Sequence, residues 1–203
     1  LSIEKNTNFK NIKVILDCAN GSTYQVAPNI FWELGCEVLS IGNQPNGRNI
    51  NEQCGAVNVE QLSKKILETK YDIGFAFDGD GDRLIIVDEK GDSVDGDKIL
   101  ALLTKELIAT NKLNKKTVVA TMMSNLGFEK YLKEELGVRL IRTSVGDINV
   151  IKEMQKKSYS LGGEQSGHII LGEYSQTGDG ILVALKILEI LKDSNLNSNQ
   201  LFD

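Results

Sequence analysis

Three aspartates at alternate positions, Asp78, Asp80 and Asp82, are separated by single glycines and followed at once by Arg83. An apolar run at residues 73–77 leads into them and a second at 84–87 leads out. This pattern reads as strand, tight loop, strand, with glycines supplying backbone conformations closed to other residues. Carboxylates crowded this closely repel one another unless a cation sits among them. A set of hard oxygen donors suits Mg²⁺ or Ca²⁺ better than a soft metal. An EF-hand loop also begins D-x-D-x-D, and Glu89 falls at its twelfth position. Its sixth position, however, needs glycine and holds Arg83, and the flanks read as strands rather than helices. A solvated polar hairpin leaves the repulsion uncompensated. The reading that uses every residue is a Mg²⁺ site for phosphate chemistry at a strand end, with the Arg83 guanidinium able to hold phosphate oxygens.

A second glycine-rich loop runs Gly162-Gly163-Glu164-Gln165-Ser166-Gly167-His168. Glu164 and Ser166 alternate, so both side chains can point the same way. A carboxylate beside a hydroxyl makes a clamp for sugar hydroxyl groups. A plain hairpin turn is the competing reading. His168 is the only histidine. With no cysteine or second histidine near it, it reads as a hydrogen-bonded structural residue rather than a metal ligand. Asp147, after Gly146, reads as a helix N-cap.

The elements that must position these loops follow from periodicity and punctuation. Short apolar runs predict strands at residues 12–16, 36–41, 73–77, 84–87, 117–121, 138–141, 158–161 and 169–171. Helical spacing with caps predicts helices near 28–34, 59–67, 97–109, 125–136, 147–156 and 179–191. Ser22 or Thr23 caps the first, Asp95 the third, and Ser124 or Asn125 the fourth. Residues 43–55 form a long Asn- and Gly-rich loop of the kind that is often functional. The two halves repeat one order: strand, helix, strand, helix, strand, Gly-rich loop, strand, helix. This predicts an α/β protein of two tandem, similar α/β/α units, 1–104 and 105–203, each a small mixed sheet packed between helices. If the units face each other, the two loops share one cleft, since ligands of open α/β sheets bind beyond strand ends.

Composition narrows the function. The 203 residues carry a net charge of −5, which argues against nucleic acid as the main partner. Residues 105–157 nevertheless hold eleven basic against six acidic side chains. No apolar stretch reaches membrane-spanning length, so no membrane role is expected. Cys18, Cys36 and Cys54 form no C-x-x-C pair. They point to a reducing cytoplasm and to buried apolar roles. The first residue is Leu1 and residues 194–203 read as a polar linker, as in a piece of a longer protein.

F-D-G-D-G-D-R followed by G-G-E-Q-S-G-H resembles the α-D-phosphohexomutase family, whose second and third domains would account for the whole chain. Asp17-Cys18-Ala19-Asn20-Gly21, the stretch Pro45-Asn46-Gly47-Arg48-Asn49-Ile50-Asn51 with Cys54-Gly55, and Gln165 are similar to its amino-sugar branch. The mannose/glucose branch commonly has Met at the position of Gln165. The resemblance implies a phosphoserine enzyme that passes a hexosamine phosphate through a bisphosphate intermediate. Asp78, Asp80 and Asp82 would hold Mg²⁺, Arg83 would contact the phosphoserine region, and Glu164 and Ser166 would contact sugar hydroxyls. The first unit would be domain II, with the metal loop, and the second domain III, with the sugar loop. Motifs resembling S-A-S-H-N and G-T-E-P, which belong to the family's first and fourth domains, are absent from these residues. The partners would therefore be those two domains, and the chain by itself would not complete the reaction. Ile148 stands where the family often has a basic residue. The competing classes are a haloacid-dehalogenase-type phosphatase, which would read D-x-D-G-T, and a non-catalytic metal-stabilised binding module.

Overall fold

The computed structural model describes residues 7–203. They divide into two compact units, one of residues up to 94 together with 180–203, the other of residues 95–179. The chain therefore passes between the units twice.

The first unit is built on β1 (Lys13–Asp17), β2 (Glu37–Ile41), β3 (Ile73–Phe77), β4 (Leu84–Asp88) and β5 (Ser93–Val94), in the order β2-β1-β3-β4-β5. β1 pairs in parallel with β2 and β3, and β4 returns antiparallel to β3. All five residues of β3 are buried, as expected for a central strand covered on both faces. α1 (Val26–Glu33) lays Phe31 against Phe75, with ring centroids 5.7 Å apart. α2 (Glu60–Thr69) buries Leu62 and Ile66, one turn apart, in a core with Ile15, Ala76 and Val87. Each such side chain contributes about 1.5–3 kcal/mol on burial.

The second unit repeats the topology with β6 (Thr117–Thr121), β7 (Arg139–Thr143), β8 (Leu161–Gly163) and β9 (Ile169–Leu171), ordered β7-β6-β8-β9. β6 again pairs in parallel with two neighbours, and β9 returns antiparallel to β8. α4 (Leu126–Glu134) starts at an Asn125 cap, whose side chain accepts the Phe128 N–H at 2.7 Å. α5 (Asp147–Lys157) supplies Val150 and Met154 to a core with Val119, Tyr159 and Ile170. The expected pair of mixed α/β/α units is thus present.

The remaining helices depart from the sequence reading. α3 (Gly96–Ala109), capped by Asp95 as expected, follows the first sheet in the chain but belongs to the second unit, where it meets β8 and α4. α6 (Gly180–Ser194) follows the second sheet but packs on β3 and β4. The expected division at 104/105 falls inside α3, whereas the compact units separate at 94/95 and 179/180. Residues 194–203, expected as a linker, contain α7 (Ser198–Leu201), opened by a capping box of Asn197 and Gln200. Glu89 N–H donates to Ser198 Oγ at 2.9 Å, Asn199 N–H donates to the Glu89 carboxylate at 2.7 Å, and Phe202 is buried. A single turn is too short to show helical periodicity, so only its tertiary contacts reveal it.

Three local corrections matter to the loops. The expected strand at 158–161 begins at Leu161 instead, because Ser158 takes the left-handed conformation that closes α5. Gly162 and Gly163 therefore belong to the strand rather than to the loop. Asp147 is not a cap. Gly146, at φ 115°, occupies that position and Asp147 begins the helix. The residue before α1 is Gln25, not Ser22 or Thr23. Among the described residues no helix is long and apolar enough to cross a membrane, and the three cysteines are free and buried.

Candidate functional site

The register Phe77↔Leu84 closes β3 and β4 around residues 78–83, so the aspartate loop stands at the end of a fully buried strand. Asp78, Asp80 and Asp82 each place one carboxylate oxygen within 4.8 Å of the others. Asp78 is 9% exposed; Asp80 is exposed and Asp82 partly so. Arg83 turns back over the loop. Its N–H donates to Asp78 Oδ1 at 3.1 Å, and its Nε lies 3.8 Å from carboxylate oxygens of both Asp78 and Asp82. Burial pushes the Asp78 carboxyl up to about 6, with the charges of Asp82 and Asp80 adding to the rise and the Arg83 N–H opposing it. An acid held this far up is an electrostatic cost that a cation would relieve. Three carboxylates that bring one oxygen each to a single small region form the all-oxygen donor set that would suit a hard cation such as Mg²⁺.

The loop is braced from two directions. Ser22 N–H donates to Gly79 O at 2.8 Å, and the first N–H of α6, Gly180, donates to Gly81 O at 2.9 Å. Gly81 takes φ 82°, a conformation that favours glycine at that position. Asp17, at the end of β1, is wholly buried. It accepts the Gly55 N–H at 2.7 Å and the Ala19 N–H at 3.0 Å. It thereby ties the turn at 18–22 to the long loop at 43–55. The sequence marks both that long loop and the stretch beginning at Asp17, but not the contact between them, which joins residues 38 positions apart.

In the second unit, Gly163↔Ile169 closes the hairpin around residues 164–168. Glu164 is 9% exposed and its Oε1 accepts the Gly146 N–H at 3.1 Å, whereas Ser166 is exposed. The expected pair therefore lies on one hairpin, but Glu164 is anchored to the start of α5 and Ser166 is not. Gln165 is held twice: its carbonyl accepts the Gly96 N–H at 2.9 Å, and its amide donates to Asp95 Oδ2 at 3.2 Å. His168 is buried and accepts the Gly178 N–H at Nε2, 3.2 Å away, in line with the structural role read from the sequence. The exposed Ile148 offers no charge beside the start of α5.

Two expected outcomes follow. A proton must leave Asp78 before a cation binds it, so Mg²⁺ affinity should rise between pH 5 and pH 7 and level off above the carboxyl's value of about 6. The sign for stability is opposite. The folded value is above the ordinary 3.8, so this group's contribution to metal-free stability is full below 3.8 and is lost as pH rises through about 6. Titration calorimetry at several pH values checks the first, and melting without metal the second. In the other unit, a Cβ on Gly96 would run into the Glu164 carbonyl oxygen and stand 2.9 Å from both Gln165 O and Gly167 N. Gly96→Ala should therefore cost at least about 3 kcal/mol in urea unfolding and displace the 164–168 hairpin.

Comparison with known proteins also divides the chain near residue 94 but takes residues 180–203, which pack with the first unit, together with the second. The family profile for phosphoglucomutase/phosphomannomutase, alpha/beta/alpha domain II, matches residues 2–91, and that for domain III matches residues 95–203. The chain is 50% identical over 200 residues to the phosphoglucosamine mutase of Zymomonas mobilis, covering 98% of this chain and 45% of that protein. Among solved structures, a phosphoglucomutase/phosphomannomutase family protein of Burkholderia thailandensis matches with a TM-score of 0.82 at 28% identity, over 94% of this chain and 42% of that one. Aspergillus fumigatus N-acetylphosphoglucosamine mutase, solved in complex with GlcNAc-6P and magnesium, shares the fold with a TM-score of 0.73 at 19% identity, over 95% of this chain and 45% of that one. The chain thus spans less than half the length of each of these three proteins.

Proposed function

Because the chain belongs to the phosphoglucomutase/phosphomannomutase family, we propose that it is the central pair of domains of a mutase interconverting glucosamine 6-phosphate and glucosamine 1-phosphate. The observation that carries this reading is the aspartate loop: three carboxylate oxygens within 4.8 Å, with Arg83 folded over two of the aspartates. The amino-sugar branch is favoured by the 50% identity to a phosphoglucosamine mutase. The product would feed UDP-N-acetylglucosamine and cell-wall precursor synthesis, in a cytoplasm reducing enough to leave three buried thiols free.

In this reading Asp78, Asp80 and Asp82 hold Mg²⁺, which when bound supplies positive charge against a transferring phosphoryl group. Arg83 adds a second cationic group beside a phosphoserine, carried by a part of the protein outside these residues. Glu164 accepts sugar hydroxyls with the carboxylate capacity that the Gly146 N–H leaves over, and Ser166 donates or accepts from its exposed position. The intermediate is a sugar bisphosphate that turns over between two half-reactions. Positioning provides much of the rate, which is why both loops are pinned by helix-opening N–H groups.

The test is kcat/KM of the full-length protein for glucosamine phosphate against mannose and glucose phosphates, with Mg²⁺. A strong preference for the amino sugar supports the reading. A preference for a neutral hexose phosphate moves the protein to the neighbouring branch, with the same metal loop. The 203-residue chain should show no mutase turnover; measurable turnover would overturn the division of labour proposed for the missing domains.

A further inference from the structure

The loop at 43–55 reaches the aspartate loop at Gly79, and it is anchored along its length. Asn46 Oδ1 accepts the Arg48 and Asn49 N–H groups at 2.9 and 3.1 Å, Asn49 Nδ2 donates to Gln44 O at 3.0 Å, and Gln44 N–H donates to Asn20 Oδ1 at 3.0 Å. Asn51 N–H donates to Ala19 O at 2.8 Å, and Gly55 is fixed by Asp17. The loop thus has side-chain and backbone anchors along its length despite having almost no regular structure. It delivers Ile50 and Asn51 onto Gly79, the residue between the first two aspartates. A Cβ at Gly79 would stand 2.6 Å from Ile50 Cδ1 and 3.0 Å from Asn51 Nδ2. Ile50 remains 54% exposed, so burial in the core does not explain its position. On the other side, the Gly79 carbonyl is held by Ser22 N–H at 2.8 Å.

We propose that Ile50 and Asn51 are positioning residues for the cation site: they press the Gly79 peptide against the turn at 21–22 and so fix the angle between the Asp78 and Asp80 carboxylates. A side chain at Gly79 would displace the Ile50 and Asn51 side chains from the loop, while on the other face a Cβ on Gly21 would run into the Gly79 peptide itself. The proposal rests on the reading of the aspartates as a Mg²⁺ site, and it adds a control on that site's affinity from a loop that carries no ligand.

The experiment is titration calorimetry of MgCl₂ into the 203-residue chain, for the wild type, Ile50→Ala and Ile50→Val, with melting curves without metal. Ile50→Ala should weaken Mg²⁺ binding about tenfold, the scale of an outer-sphere positioning change. Ile50→Val, which keeps a branched side chain over Gly79, should stay within about twofold of wild type. The melting temperature of Ile50→Ala should move by no more than about 4 °C, because the side chain is largely exposed. A purely structural role would lower the melting temperature and leave the affinity of the folded chain unchanged. Should Ile50→Ala melt at the assay temperature, Asn51→Gly carries the same test, since glycine tolerates the φ of 58° there. Wild-type affinity in both Ile50→Ala and Asn51→Gly overturns the proposal alone. Absence of Mg²⁺ binding by the wild type overturns the aspartate reading, and the proposal with it.

Discussion

Asp78→Asn should weaken Mg²⁺ binding by at least about 100-fold and yet raise the melting temperature of the metal-free chain. The two effects have one cause. Asp78 is the most buried of the three aspartates, and its carboxyl is pushed up to about 6 by burial first and by its two neighbours next. Ionised at neutral pH without a cation, it opposes folding; with a cation it is the ligand least screened by water. Asparagine keeps an oxygen for the Arg83 N–H, now 3.1 Å from Asp78 Oδ1, while removing the charge. The gain in metal-free stability is on the order of 1 kcal/mol, the scale of one pKa unit. Titration calorimetry and melting curves with and without Mg²⁺ separate the effects. Unchanged affinity would remove Asp78 from the ligand set, and a lower metal-free melting temperature would show that its hydrogen bond outweighs the repulsion. Asp80→Asn is the companion variant. Asp80 is exposed, so its loss should weaken Mg²⁺ while leaving the fold intact. Unfolding of that variant would make the loop structural instead of metal-binding.

Asp17→Ala should lower stability by about 2–5 kcal/mol in urea unfolding. The carboxylate is wholly buried and accepts the N–H groups of Gly55 and Ala19. Alanine leaves both donors buried with no acceptor, at about 1–3 kcal/mol each. Asp17→Asn should recover only part of the loss, because the introduced NH₂ group would face one of the two donors. Burial raises the Asp17 carboxyl and its two backbone hydrogen bonds hold it down, so the stabilisation comes from satisfying those donors rather than from the charge. A loss below about 1 kcal/mol would mean that the 43–55 loop reaches other acceptors when Asp17 is gone.

The two families of expectation, local and long-range, met different fates for a physical reason. The strand Ile73–Phe77, the strand Thr117–Thr121, the caps at Asp95 and Asn125 and the two glycine-rich hairpins are encoded by contiguous residues. Apolar runs, turn residues and cap donors act over a few positions, so their reading needs no knowledge of the rest of the chain. The same holds for the chemistry of the aspartate loop, because alternation alone crowds its charges and calls for a cation. Tertiary structure decided what no short window contains. α3 and α6 both present apolar faces that suit either sheet, and periodicity says that a face is buried without saying against what. Only packing assigns α3 to the second unit and α6 to the first. Only packing places Ile50 on Gly79, Asp17 under Gly55 and Glu164 on Gly146. Those contacts join residues 18 to 38 positions apart. Their stability depends on groups that meet only once the sheets have formed, so the ligand types belong to the sequence and the geometry that holds them belongs to the fold.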